Sequence, residues 1–180
     1  MDTVTIKDKT FKIFIASEKI QQTISELALQ INKDYKGKAP IFLSVMNGAF
    51  LFTADLFKQI SLECEIAFIK VSSYQGISTT GKIKTTIGLD NYVSGRDVII
   101  LEDIVDTGIT IEYLFNDIKQ YNPASVKIAT LLFKPDAYKK DVKLDYVGFK
   151  IPNDFIVGYG LDYDQLGRNF KDIYKIITPL

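Results

Sequence analysis

The run Val98-Ile99-Ile100-Leu101-Glu102-Asp103-Ile104-Val105-Asp106-Thr107-Gly108-Ile109-Thr110 constrains this chain more than any other stretch. Four apolar residues at 98–101 predict a strand buried on both faces, as in a parallel sheet. Two adjacent acids follow, then a third. A short turn of hydroxyl residues and glycine then opens a helix predicted over 107–121. This order brings carboxylates, backbone N–H donors and a helix N-terminus to one sheet edge. Such an edge suits a sugar phosphate held together with a divalent cation. Asp106 or Thr107 would also serve as a plain helix cap, with Glu102 and Asp103 in a solvated turn. Two acids directly after an apolar strand favour the site over the cap.

The rest of the chain supplies alternating elements. Residues 10–15 alternate and predict an edge strand. Ser17 is a candidate N-cap for a helix carrying Ile20, Ile24, Leu27, Ala28 and Ile31 at helical spacing, and Lys36-Gly37-Lys38-Ala39-Pro40 ends it. A buried strand is predicted at 41–46, an Asn47-Gly48 turn after it, and a helix over 49–60. Further strands are predicted at 65–71, 125–133, 146–149 and 155–159. The segment 72–91 is rich in hydroxyl residues and glycine and reads as a long mobile loop with room for a short hairpin. Loops of that length in a small domain often act as lids. Strands alternating with helices predict an α/β fold with a mostly parallel, twisted sheet flanked by helices. The chain of 180 residues fits a single domain spanning 1–180. Residues 1–15 and the tail after about 150 are expected to pack together as a small hood lobe over the strand ends.

Composition narrows the chemistry. The chain contains no histidine, so proton transfer falls to Asp, Glu, Lys or Tyr, and no Cys–His pair can form. The one cysteine, Cys64, cannot form an intrachain disulfide and suits either a core position or a reducing cytosol. Lys plus Arg is 22 and Asp plus Glu is 22. This balance leaves no overall footprint for nucleic acid or an anionic membrane. The N-terminus is polar and lacks an apolar export core, and Asn47, Gly48 and Asp55 interrupt the most membrane-like span at 39–57. The expectation is a cytoplasmic protein with no nucleic-acid or membrane partner. Neither G-x-x-x-x-G-K-[ST] nor a post-strand G-x-G-x-x-G occurs, so those triphosphate and dinucleotide sites are unsupported.

The run from Glu102 to Thr110 matches the phosphoribosyl-pyrophosphate signature of the purine phosphoribosyltransferases. More narrowly, the chain resembles the hypoxanthine-guanine phosphoribosyltransferases of bacterial length. The likeness runs through Met46-Asn47-Gly48-Ala49-Phe50, Ser73-Tyr74 and Phe155-Ile156-Val157-Gly158-Tyr159-Gly160-Leu161-Asp162-Tyr163, and ends at Arg168-Asn169. The resemblance implies the type I phosphoribosyltransferase fold. It implies purine salvage: transfer of a 5-phosphoribosyl group from its pyrophosphate to hypoxanthine or guanine, with Mg²⁺ as cofactor, by a homodimer or homotetramer.

By the same resemblance, Asp106 is the catalytic acid near N7 of the purine. Thr107, Gly108, Ile109 and Thr110 hold the 5′-phosphate. Glu102 and Asp103 meet the ribose hydroxyls and the Mg²⁺ shell. Lys134 donates to the 6-oxo group, a role that a fixed ammonium suits; a solvated loop lysine is the plain alternative. Phe155 stacks on the base or simply packs in the core. Ile156 and Asp162 offer backbone carbonyls, the Asp162 side chain reaches a second Mg²⁺, and Arg168 binds pyrophosphate. Asn47 and Gly48 form the pyrophosphate turn, and Ser73 and Tyr74 begin the lid. Asn47 and Ile109 stand where the family often carries basic residues, so pyrophosphate affinity is the property most exposed to change. Two alternatives stay open: a xanthine-preferring transferase, and a non-enzymatic sensor of the same ligands. The sensor would need a helix-turn-helix or basic patch that this charge balance does not supply.

Overall fold

In chain order, the elements are β1 (Thr3–Ile6), β2 (Lys9–Ile15), α1 (Ser17–Asp34), β3 (Ile41–Met46), α2 (Phe50–Phe57), β4 (Glu65–Ser73), β5 (Ile83–Thr85), β6 (Asp97–Val105), α3 (Ile109–Lys119), β7 (Ser125–Phe133), β8 (Tyr146–Lys150), β9 (Ile156–Val157) and β10 (Ile173–Ile176). They come from a computed structural model that describes residues 3–73, 83–85 and 90–177. The main sheet has the order β5-β4-β3-β6-β7-β8. Its β4-β3, β3-β6, β6-β7 and β7-β8 pairings are parallel, and only β5 runs antiparallel. This is the mostly parallel α/β sheet that the alternating elements predict.

Burial on both faces explains why the central strands read as unbroken apolar runs. On one face, Ile20, Ile24 and Leu27 of α1 pack with Phe52 and Leu56 of α2 on Phe42, Ile99 and Leu101. On the other, Ile111, Leu114 and Ile118 of α3 pack on Leu43, Ile100 and Ile128. Ser44 of β3 and Thr53 of α2 are buried polar exceptions, and their hydroxyls satisfy each other at 2.7 Å.

A second, antiparallel sheet has the order β1-β2-β10-β9. It joins residues 3–15 to the tail, with Ile6, Phe11, Val157 and Tyr174 forming its own apolar cluster. Strands β1 and β10 escaped the sequence reading. Each has four residues, too few for alternation to stand out. The strand expected at 155–159 shrinks to two residues because three successive residues, 158–160, have positive φ and leave the extended region. No helix among the described residues is long and apolar enough to cross a membrane.

Several boundaries differ from expectation. Helix α2 stops at Phe57 because the N–H groups of Gln59 and Ile60 donate three residues back, to Leu56 and Phe57, tightening the end. Strand β6 continues four residues past Leu101. Helix α1 is not capped by Ser17, which is its first residue; Ala16 occupies the cap position without a side-chain bond. Instead, the Ser17 N–H donates to Asp172 Oδ1 at 2.7 Å, and Tyr174 donates to the other Asp172 oxygen. A buried tail carboxylate therefore satisfies the α1 N-terminus. Asp172→Ala should lower the unfolding free energy by about 1–2 kcal/mol, the usual cost of a lost cap and an unpaired donor. A lower urea midpoint with an unchanged m-value would report it.

Candidate active site

The carboxyl ends of the neighbouring strands β3, β6 and β7 run directly into the 46–49 turn, the 106–110 loop and Lys134. Ligand crevices form at such ends in open parallel sheets. Glu102 and Asp103 are strand residues, not members of a solvated turn: both lie inside β6, near its carboxyl end, and both are only 8% exposed. Alternation puts Ile99 and Leu101 on one face and Ile100 on the other, and it breaks at the acids: beyond them Ile104 packs with Ile99 and Leu101, and Val105 with Ile100.

Glu102 Oε2 is buried and unpartnered among the described residues. Burial, and then the charge of Asp103, push the Glu102 carboxyl well above the usual carboxylate range. Burial also raises Asp103, while the neighbouring Glu102, the Ile104 N–H and the more distant Arg168 act against it. Asp103 Oδ1 accepts from its own neighbour, Ile104 N, at 2.9 Å. Burial favours the neutral form of these two adjacent acids, and a bound cation would favour the charged form instead.

The 106–110 loop differs from a simple capped helix. Helix α3 begins at Ile109, and its cap position is Gly108 with φ 84°, a left-handed conformation. A Cβ there would lie 2.4 Å from the ring of Tyr138. Both backbone strain and space therefore demand glycine. Residues 104–111 enclose a cavity of about 100 Å³. It opens on the unpaired N–H groups of the first α3 turn and the hydroxyls of Thr107 and Thr110. This volume suits a compact anion rather than a nucleoside. Ile109 is exposed beside it. A larger groove of about 530 Å³ lies across the molecule, near the C-terminal end of α1, but its Asn32 side chain is committed to Gln59 O and Ser61 N.

Lys134 closes the other side of this loop. Its backbone N–H donates to Val105 O at 2.9 Å, and its ammonium pairs with Asp106 Oδ2 at 3.0 Å. Lys134 is buried while the Asp106 side chain is half exposed. It is not the solvated loop lysine that its position alone would allow. Among the described residues, the loop's general-base candidate and the ammonium buried beside it therefore meet directly.

The third group gathers around the 46–49 turn, where the Met46–Asn47 peptide is cis. A Cβ on Gly48 would sit 1.8 Å from Asp103 Oδ2, and one on Gly160 would sit 2.1 Å from Gly48 O. Gly48 is thus sandwiched between the buried acid and the tail. Arg168 donates to Gly160 O at 2.7 Å and forms an ion pair with Asp162 Oδ1. The remaining Asp162 oxygen accepts Gln165 N at 2.7 Å. Glu102, Asp103, Gly48, Arg168 and Asp162 hence lie along one continuous set of contacts.

Phe155 is half exposed, its ring set edge-on to Tyr163 and tilted against Phe11. It is held from the side, with a free surface. Ile156 is buried where β9 pairs with β10. Ser73 ends β4, its backbone paired with Ile83, and Tyr74 lies outside the described residues. Four supporting residues went unread in the sequence: Tyr138 under Gly108, Asp172 at α1, and the pair Tyr159 and Asp55. Only the Gly158-Tyr159-Gly160 spacing carried a signal, since paired glycines mark special backbone.

A parallel sheet whose central strand ends in buried acids and an Asp-Thr-Gly anion loop, faced by a second small sheet, defines a type I phosphoribosyltransferase. Residues 14–164 match the family profile described as phosphoribosyl transferase domain. The chain is 44% identical over 164 residues to the hypoxanthine-guanine phosphoribosyltransferase of Bacillus subtilis (strain 168), covering 90% of this chain and 91% of that protein. It is 45% identical to that of Streptococcus thermophilus (strain CNRZ 1066), covering 88% of each. A solved hypoxanthine-guanine phosphoribosyltransferase structure from Bacillus anthracis superposes with a TM-score of 0.86 at 40% identity, covering 93% of this chain and 97% of that one. A hypoxanthine phosphoribosyltransferase structure from Staphylococcus aureus gives 0.86 at 38% identity, over 92% and 91%. The chain belongs to the hypoxanthine-guanine phosphoribosyltransferase family.

Proposed function

We propose that the protein transfers the 5-phosphoribosyl group of phosphoribosyl pyrophosphate to hypoxanthine or guanine, forming IMP or GMP and releasing pyrophosphate, as a purine-salvage enzyme. The observation that carries this reading is the Asp106–Lys134 pair at the mouth of the anion loop. The loop N–H groups and the Thr107 and Thr110 hydroxyls hold the 5′-phosphate. Lys134 turns from Asp106 to the 6-oxo group of the entering base, and the freed Asp106 carboxylate accepts the proton at N7. Phe155 offers its free face to the purine, while the backbone carbonyls of Ile156 and Asp162 read its edge. Arg168 and the 46–49 turn receive the pyrophosphate. The lid beginning at Ser73 and Tyr74 excludes water as charge develops at the ribose carbon.

Mg²⁺ fits part of the expected acid set. Glu102, with its orphaned oxygen, and Asp103 would hold it through water or the ribose oxygens, since Mg²⁺ takes few carboxylates and keeps several waters. No group of three or more potential ligands stands together among the described residues; substrate oxygens and water would complete the shell. Asp162 fits less well, because both its oxygens are engaged with Arg168 and Gln165. Bound Mg²⁺ would neutralise the departing pyrophosphate. Chelation should lower the rate of nucleotide formation by about tenfold or more, with recovery on adding Mg²⁺.

The test is steady-state kinetics with hypoxanthine, guanine, xanthine and adenine side by side. Turnover of the first two supports the assignment, a dominant rate with xanthine replaces it, and salt-dependent nucleic-acid binding without turnover overturns it. We further propose a homodimer or homotetramer working in the cytoplasm, a reducing setting consistent with the lone thiol of Cys64.

A further inference from the structure

Among the described residues, the 158–160 turn is the one run of three successive residues at positive φ. Gly158, Tyr159 and Gly160 have φ of 94°, 49° and 98°. Left-handed conformation costs glycine nothing, but for tyrosine it is unfavourable and needs support from its surroundings. The two glycines face backbone directly: a Cβ on Gly158 would lie 2.2 Å from Asp172 O, and one on Gly160 2.1 Å from Gly48 O. The backbone N–H groups of Tyr159 and Gly160 donate to Phe170 O and Arg168 O at 2.8 and 3.0 Å. The turn therefore touches Asp172, the 46–49 turn and Arg168 at once.

The support for Tyr159 comes from α2. Its ring is buried, and its hydroxyl donates to Asp55 Oδ2 at 2.6 Å. Gln21 of α1 donates to the same oxygen at 2.6 Å, and Lys58 pairs with the other at 2.7 Å. Burial alone would raise the Asp55 carboxyl, yet Lys58, Tyr159 and Gln21 together hold it below its ordinary value. The acceptor is thus a charged carboxylate, and hydrogen bonds to charged groups are the strong ones. Helix α2 begins immediately after the 46–49 turn. The Tyr159–Asp55 bond accordingly ties both partners of the Gly48–Gly160 contact to one rigid element.

We propose that Tyr159 is a positioning residue for the pyrophosphate end of the site: fixed on Asp55, it holds the 158–160 turn so that Gly160 braces Gly48 and anchors the Arg168 guanidinium. This rests on the reading that Arg168 and the 46–49 turn receive pyrophosphate. The 5′-phosphate loop lies on β6 and α3 and does not depend on this tie.

Tyr159→Phe keeps the ring and removes only the hydroxyl. Three quantities decide the outcome: the KM for phosphoribosyl pyrophosphate, the inhibition constant of inorganic pyrophosphate, and the dissociation constant of IMP. The first two should rise by about tenfold, because small displacements of positioning groups are costly, while IMP binding stays within about twofold. Asp55→Leu should reproduce this, and the double variant should lose no more than the worse single one. No change in the pyrophosphate constants overturns the role, as do additive losses in the double variant. A parallel rise in all three constants also overturns it, since that is general loosening. A wild-type control that forms no nucleotide sinks the proposed function, and this role with it. Turnover by the wild type alongside an unaffected Tyr159→Phe sinks the role alone.

Discussion

Asp106→Asn is expected to lower kcat by roughly 10²–10⁴-fold, the usual worth of a positioned acid–base group, while leaving the protein folded. With no histidine in the chain, proton transfer at the base must fall to another side chain. Asp106 is the carboxylate at the mouth of the anion cavity, and it already touches the ammonium assigned to the base. Asparagine keeps the shape and an oxygen for Lys134 but cannot take up a proton near neutral pH. The side chain is half exposed and lies just beyond the end of β6, but the substitution leaves the buried Lys134 ammonium with a neutral partner, so a stability loss of about 1–3 kcal/mol is expected, short of unfolding. The KM for phosphoribosyl pyrophosphate should move little, because backbone N–H groups and two threonine hydroxyls hold the phosphate. Turnover at saturating substrates, measured beside a melting curve, separates these effects. Wild-type kcat in purified Asp106→Asn would remove the acid–base assignment.

The parts of the site that could be read from the chain are those whose logic is local. The 106–110 loop follows an apolar strand within a few residues, so its role as an anion cradle shows in the order of residue types. Lys134 could be placed after β7, but its pairing with Asp106 depends on the β6–β7 register, which sets Val105 opposite Phe133. The same pairing explains the misplaced end of β6. Polarity argues for a stop at Leu101, yet Glu102 pairs with Thr130 and Ile104 with Leu132, so tertiary pairing carries the strand through two acids. Their burial, and hence the orphaned oxygen on Glu102, had no signature in composition. The α1 cap was unreadable for a related reason: Ser17 is a good capping residue by type, but its backbone N–H is met by Asp172 from the far end of the chain. Tyr159 and Asp55 are likewise far apart in sequence and are brought together only by the packing of the tail on α2.

Lys134→Met is expected to narrow the preference for hypoxanthine over adenine by roughly 10²-fold in kcat/KM. A hydrogen bond to a charged group contributes about 1.5–3 kcal/mol, or roughly 10- to 150-fold. Hypoxanthine presents a 6-oxo acceptor to the ammonium and loses that contribution in the variant. Adenine presents a 6-amino group, so in the wild type donor faces donor; removing the ammonium relieves this opposition, and adenine gains where hypoxanthine loses. The substitution also removes the partner of Asp106, which alters proton transfer for both bases. That effect largely cancels in the ratio, so the ratio rather than either rate is the informative quantity. Folding should survive, because methionine fills similar space at this buried position and the Asp106 carboxylate left without its partner is half exposed to solvent. Competition between the two bases for limiting phosphoribosyl pyrophosphate reads the ratio directly. An unchanged ratio would move selectivity for the 6-position away from Lys134 and onto the backbone groups at Ile156 and Asp162.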